Sequence, residues 1–278
     1  LLAYYGRLGD FDKARAQVDR WIAISPENPG PYAMKAVLQE SSGNLAEGLK
    51  HRRKVLAMAP HDPRASRERH FAELALGEFQ SVLKAEEPYM RYRAMVLMGR
   101  KDDARSLVRQ ELDARPDFPQ QQADYLMVHD YIHDWAEVVR YYDATWGSLE
   151  SFEQSFISPP YTSVLPALID AGHRDAPAML VAARRAIDFD RASGFQNASY
   201  DTNEASICLL EGDPSKAMDL LELAYSKGKR DIFLFIYPNL NDAPTPRLEA
   251  LQARVAADIN AERAKLGLPA IEMPKAYR

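Results

Sequence analysis

A single cysteine, Cys208, stands in 278 residues, so no disulfide can form within the chain. Its setting, Ala-Ser-Ile-Cys-Leu-Leu, marks a buried small hydrophobe, because a redox centre needs an electropositive, exposed environment. No apolar run approaches the roughly 18–20 residues that span a bilayer, and no signal peptide opens the sequence. A phosphate-cradling glycine loop, a CxxC pair and a nucleophile elbow are also missing from the sequence. These absences exclude disulfide-stapled domains, membrane insertion by this segment, and the commonest nucleotide-binding and hydrolase motifs. The chain begins without Met in what reads as mid-helix, as expected of a fragment or processed product. The cytoplasm is the expected compartment for this segment, or the periplasm if the parent is membrane-anchored.

What is present is periodic. Gly9, Gly43 and Gly77 lie 34 residues apart, and Pro26 and Pro60 repeat the interval. Gly9-Asp-Phe-Asp-Lys-Ala14 leads to Pro26, Gly99-Arg-Lys-Asp-Asp-Ala104 leads to Pro116, and Gly212-Asp-Pro-Ser-Lys-Ala217 restates the opening. A fixed period of this length marks an array of helix pairs. In that array Gly closes the first helix in the left-handed conformation, and a following Asp or Asn caps the second. The small residue lets two helices approach, and Pro stops the second helix. Each choice serves backbone geometry or packing, so none points to catalysis. The apolar fraction of 46% and charged fraction of 27% are ordinary for a soluble chain.

These residues resemble the tetratricopeptide repeat family over nearly the whole chain. The resemblance implies an all-α fold, a right-handed superhelical solenoid of about seven helix pairs with a C-terminal capping helix. Repeat one would comprise Leu1–Leu8 and Phe11–Ile24, and repeat two Pro31–Ser42 and Leu45–Ala59. Repeat three, near Pro63–Lys84, has a short second helix. Repeats four and five would run near Pro88–Arg115 and Pro119–Trp146, repeat six near Tyr161–Asp190 and repeat seven near Tyr200–Ser226. In repeat five His133 replaces the turn Gly and Val138 the small residue. Pro177 in repeat six fits only if a helix begins there. The array occupies residues 1–230, a proline-marked connecting loop 231–245, and a capping helix and tail 246–278. Leu248, Leu251, Val255, Ile259 and Ala264 form the apolar stripe of that last helix, about Pro246–Leu266. Leu210–Leu266 is also similar to the end of repeat regions in bacterial signalling proteins, including nucleotide cyclases and winged-helix regulators. That likeness implies a sensory or interaction module.

In such arrays first helices line the concave surface. The resemblance therefore places Tyr89 and Arg93 there, with Asp124, Met127 and Tyr131, and with Thr202, Asn203 and Ser206, as partner-binding residues. Close packing between helices is the competing role for Met127 and Tyr131. A clamp for peptide carboxylates is not expected, because Ala33 and Val37 occupy its polar positions. The expected function is a non-catalytic scaffold that binds a protein or peptide without a cofactor, with self-association as a further possibility.

Charge is uneven. Lys50–Lys101 holds twelve Lys/Arg against six Asp/Glu, a balance of +6, which leaves −11 elsewhere in a chain of −5. Arg52, Arg53, Lys54, Arg64, Arg67 and Arg69 are its densest part, read either as a solvated face or as a site for an acidic partner. Nucleic acid is not expected, since the remainder of the chain is acidic. His129 and His133 stand at i and i+4, which is metal-ligand spacing, and supply the rival reading of a metal-dependent hydrolase. No third ligand is identifiable, and packing and helix capping also account for both residues.

Overall fold

The computed structural model describes residues 11–194, 196–241 and 245–275, and the described residues are all helix, turn and loop. The expected helix at Leu1–Leu8, with Gly9, lies outside them, as do Asp242, Ala243 and Pro244 of the connecting loop. In chain order the helices are α1 (Phe11–Ile24), α2 (Pro29–Ser41), α3 (Leu45–Met58), α4 (Pro63–Ala75) and α5 (Phe79–Val82). Next come α6 (Pro88–Leu97), α7 (Lys101–Ala114), α8 (Pro119–Tyr131), α9 (Trp135–Thr145) and α10 (Leu149–Gln154). A 3-10 turn at Tyr161–Ser163 precedes α11 (Leu165–Asp170), α12 (Ala176–Ala192), α13 (Ala198–Leu210) and α14 (Pro214–Ser226). A second 3-10 turn, Ile232–Phe235, leads to α15 (Pro238–Asn241) and α16 (Pro246–Ala264).

Most successive helices pack on one another, and first helices also stack on first helices, α4 on α6 and α6 on α8. The order is that of a repeat array. Gly43, Gly77, Gly99, Gly172 and Gly212 all have positive φ at their turns, as the spacing predicts. His133 holds the same conformation, φ 58°, and is the one described non-glycine residue to do so. The turn geometry therefore persists where its usual residue is gone, and the stack of the His133 ring on Trp135, 5.2 Å between centroids, accompanies it. Ala14, Ala104 and Ala217 are fully buried between helices, and Val138 fills the same role in repeat five.

Helix caps depart from the sequence reading. Asp213 caps α14 by accepting from the Lys216 N–H, but Asn44 makes no side-chain cap and donates to Gln39 instead. First helices are capped more regularly, by Asn28, Asp62 and Asn197, ahead of α2, α4 and α13. Pro177 lies in the first turn of α12, where its missing N–H costs nothing. The segment read as a connecting loop is partly helical. Its 3-10 turn and α15 bury Ile232, Leu234, Phe235, Ile236 and Leu240 in the main core.

That core extends from Leu45 to Ile259, whereas Ala14, Val18 and Leu38, and also Tyr32, Val55 and Ala65, form two separate small clusters toward the front. The capping helix explains the continuity. Helix α16 covers α14, as an end cap should, but it also packs on α3 of repeat two. Glu262 accepts from the backbone N–H of Ala46 (2.8 Å), and Arg263 donates to the carbonyl of Leu76 while pairing with Glu78 (2.6 Å). The Ile271 side chain lies over Gly77, and Gly228 abuts the Ser41–Ser42 backbone. The array is thus closed upon itself, its last elements seated on its second and third repeats.

Candidate functional site

Two adjoining regions occur on the face built by the first helices. In the first, the 3-10 turn at Ile232–Phe235 and α15 lie against α8 and α13. The Tyr131 ring stacks on Phe233 (5.5 Å, 27°) and meets Tyr237 (5.9 Å). Arg93 reaches over the Phe233 ring at 5.7 Å and donates to the Met127 sulfur at 3.2 Å. Asn241 and Gln252 donate to the carbonyls of Tyr237 and Leu234, which fixes the segment's backbone. A small cleft of about 230 Å³ remains beside it, lined in part by Met127, Tyr131, Thr202, Asn203 and Ser206.

The second region is a larger cleft, about 540 Å³, framed by α4, α6, α7 and α8. Phe71, Tyr89 and Tyr92 form its aromatic wall, with Phe71 and Tyr89 rings 5.4 Å apart and Tyr89 and Tyr92 rings 6.5 Å apart. At its inner end Asp124 is buried and accepts from Gln120 (3.0 Å), with no cation in ion-pair range among the described residues. Burial holds its carboxyl above the usual Asp range, against the opposing pull of Tyr92, Gln120 and Arg93.

The sign of that shift gives a stability prediction. A carboxyl whose folded-state pKa is raised stabilises the fold when protonated, and this contribution is lost as pH rises through the folded-state value. Asp124→Asn should therefore melt above the wild type at pH 7. The margin should narrow as pH falls toward 4, which thermal melts across that range would reveal.

All eight expected partner-binding residues thus fall on this face. Tyr89 and Asp124 line the larger cleft, and Met127, Tyr131, Thr202, Asn203 and Ser206 line the smaller. Arg93 bridges the two, its guanidinium 5.5 Å from the Tyr89 ring. They are not equally open: Asp124, Met127 and Thr202 are buried, Tyr89, Arg93, Tyr131 and Ser206 half-buried, and Asn203 exposed. The covering of Tyr131 by the chain's own residues 232–237 was not legible beforehand, because no periodicity links those positions. Phe71 and Tyr92 were also missed: Phe71 stands six residues before Gly77, as Arg93 does before Gly99, so the same count applied to repeat three reaches it, whereas Tyr92 falls between counted positions.

Part of the basic segment is engaged within the fold. Arg52 is buried, pairs through two bonds with Glu40 and also meets Glu68 (3.4 Å). Arg69 pairs with Glu73, and Lys54 caps the Tyr32 ring at 3.8 Å.

The two histidines do not converge on a common ligand set. His129 is buried, its Nδ1 3.0 Å from Asp134, and burial lowers its pKa, which favours the neutral ring. Beside it Tyr125 donates to Glu137, whose carboxyl is held at about 2 chiefly by Arg140. Among the described residues no group of three or more His, Cys, Asp or Glu side chains is arranged to hold a metal ion. Cys208 is buried, with Arg184 Nη2 at 3.3 Å from its sulfur. No helix of the described residues is long and apolar enough to cross a membrane. Comparison with known proteins finds no matching family model and no matching curated sequence.

Proposed function

We propose that this chain is a non-catalytic interaction scaffold of the tetratricopeptide type, a right-handed superhelical array whose inner face binds a peptide segment of a partner protein. In this reading it serves as the sensory or regulatory module of a larger bacterial protein. The observation that carries the proposal is the seating of residues 232–237 on the inner helices, where Phe233 and Tyr237 engage Tyr131. The face accepts a short aromatic segment of its own chain, and the adjoining 540 Å³ cleft offers the same kind of surface without an occupant from the chain. Aromatic and Arg side chains are the groups that dominate binding at such interfaces.

A displayed library of random dodecapeptides, selected against the immobilised chain, tests this. Selected peptides should bind the wild type, and Tyr89→Ala or Arg93→Ala should weaken each at least tenfold, about 1.4 kcal/mol. Helical circular dichroism should be unchanged. Binding that survives both substitutions, or a library that yields no binder, overturns the assignment.

A further inference from the structure

The large cleft is rich in acceptors and poor in donors. Glu68, Glu87, Glu111 and Asp124 contribute four carboxylates to its lining, against the two guanidiniums of Arg67 and Arg115. Two of the carboxylates already have partners, Glu111 with Arg115 at 3.6 Å and Glu68 with Arg52 at 3.4 Å, which leaves Glu87 and Asp124 without a cation in ion-pair range among the described residues. Three acceptor-capable atoms are buried there without a hydrogen-bond partner: the Tyr92 hydroxyl oxygen, Oε1 of Gln121 and Oε2 of Glu87. The Tyr92 side chain is 1% exposed, and its hydroxyl approaches Asp124 without reaching good hydrogen-bond geometry. Asp124 itself has only the Gln120 amide as a donor of ordinary length among the described residues.

Buried acceptors and an unpaired buried carboxylate cost stability, so a ligand that brings donors and positive charge recovers what the fold forgoes. Phe71, Tyr89 and Tyr92 add ring faces, which attract cations. A guanidinium carries five donors in one plane and an ammonium three. The volume falls within the range usual for ligand sites.

We infer that this cleft receives a basic side chain, arginine or lysine, of the bound peptide, its charged head against Asp124, Tyr92 and Glu87 and its stem along the aromatic wall. The inference rests on the peptide-binding reading above. It also reverses the charge expected from composition: the segment 50–101 is basic overall, but the cleft it helps to build presents carboxylates.

The same library supplies the test. Selected peptides should be enriched in Arg or Lys at one position. The best binder, resynthesised with citrulline or leucine there, should bind at least tenfold more weakly to the wild type. Asp124→Asn should remove most of that preference, and Glu87→Gln should reduce it severalfold. The citrulline comparison uses only wild-type protein, so it decides the matter even if a variant fails to fold. Peptides that bind with no basic preference, or a preference that Asp124→Asn leaves intact, overturn the cleft assignment and leave the groove standing. If no peptide is selected at all, both proposals fall together.

Discussion

Gly228→Ala is expected to lower stability by about 2–5 kcal/mol, more than its place in a turn suggests. Two costs combine. The residue sits at φ 101°, where a side chain is strained by about 1–2 kcal/mol. A Cβ there would also stand 2.6 Å from the Ser41 carbonyl oxygen and 2.6 Å from the Ser42 carbonyl carbon, which are backbone atoms with little freedom to yield. Overpacking of that kind adds about 1–3 kcal/mol. Gly212→Ala separates the two effects, since its φ is 81° but no atom lies within 4 Å of the added carbon. Thermal midpoints should fall clearly further for Gly228→Ala than for Gly212→Ala. Equal falls would mean that the contact between repeat seven and repeat two contributes nothing. Small-angle scattering should also show a larger radius of gyration for the Gly228 variant, as the array opens.

Arg263→Ala is the second large effect, with an expected loss of about 3–5 kcal/mol. The side chain is 3% exposed and links three places: the Leu76 carbonyl, the Pro269 carbonyl and the Glu78 carboxylate. Truncation leaves all three without their donor, and Leu76 is fully buried. Urea titration gives the change directly. The double variant with Glu78→Gln should lose less than the sum of the two single losses, because removing both partners leaves no uncompensated charge. A loss below about 1 kcal/mol would place Arg263 among ordinary surface ion pairs and refute its role in closure.

Much of the architecture was legible in the sequence, for a physical reason. Turn glycines, small packing residues and helix-stopping prolines answer to local backbone demands, and local demands leave marks at fixed spacing. Gly43, Gly77 and Gly99 show this, as does Pro177 at the start of its helix. His133 shows the limit of the signal, for its turn keeps the left-handed conformation although the glycine is absent. The closure was not legible, because it depends on residues with no shared period. Nothing in the 34-residue spacing says that Arg263 will find the Leu76 carbonyl, or that residues 232–237 will cover Tyr131. The candidate groove was half legible on the same grounds. Counting from turn glycines reached Tyr89, Arg93 and Asp124, and extended to Gly77 it reaches Phe71, but Tyr92 lies between counted positions and joins the wall only through packing beside Tyr89.

The two turn glycines that first reveal the period have a further consequence, which concerns the order of folding. Gly43 and Gly77 are where the last part of the chain comes to rest, beside Gly228 and Ile271. The bonds that secure it join residues 216 and 187 positions apart, whereas neighbouring repeats meet across about one period. Closing a loop of that size in an unfolded chain costs about 1.6 kcal/mol more than closing one of a single period. Contacts this distant are normally slow to form. We expect the intervening repeats to remove the difficulty by forming first, each on its neighbour, so that the folded row brings the two ends together. The final step is then a docking of prebuilt parts. In refolding it should appear as a late phase, retarded by Gly228→Ala and absent from a chain that ends before α16.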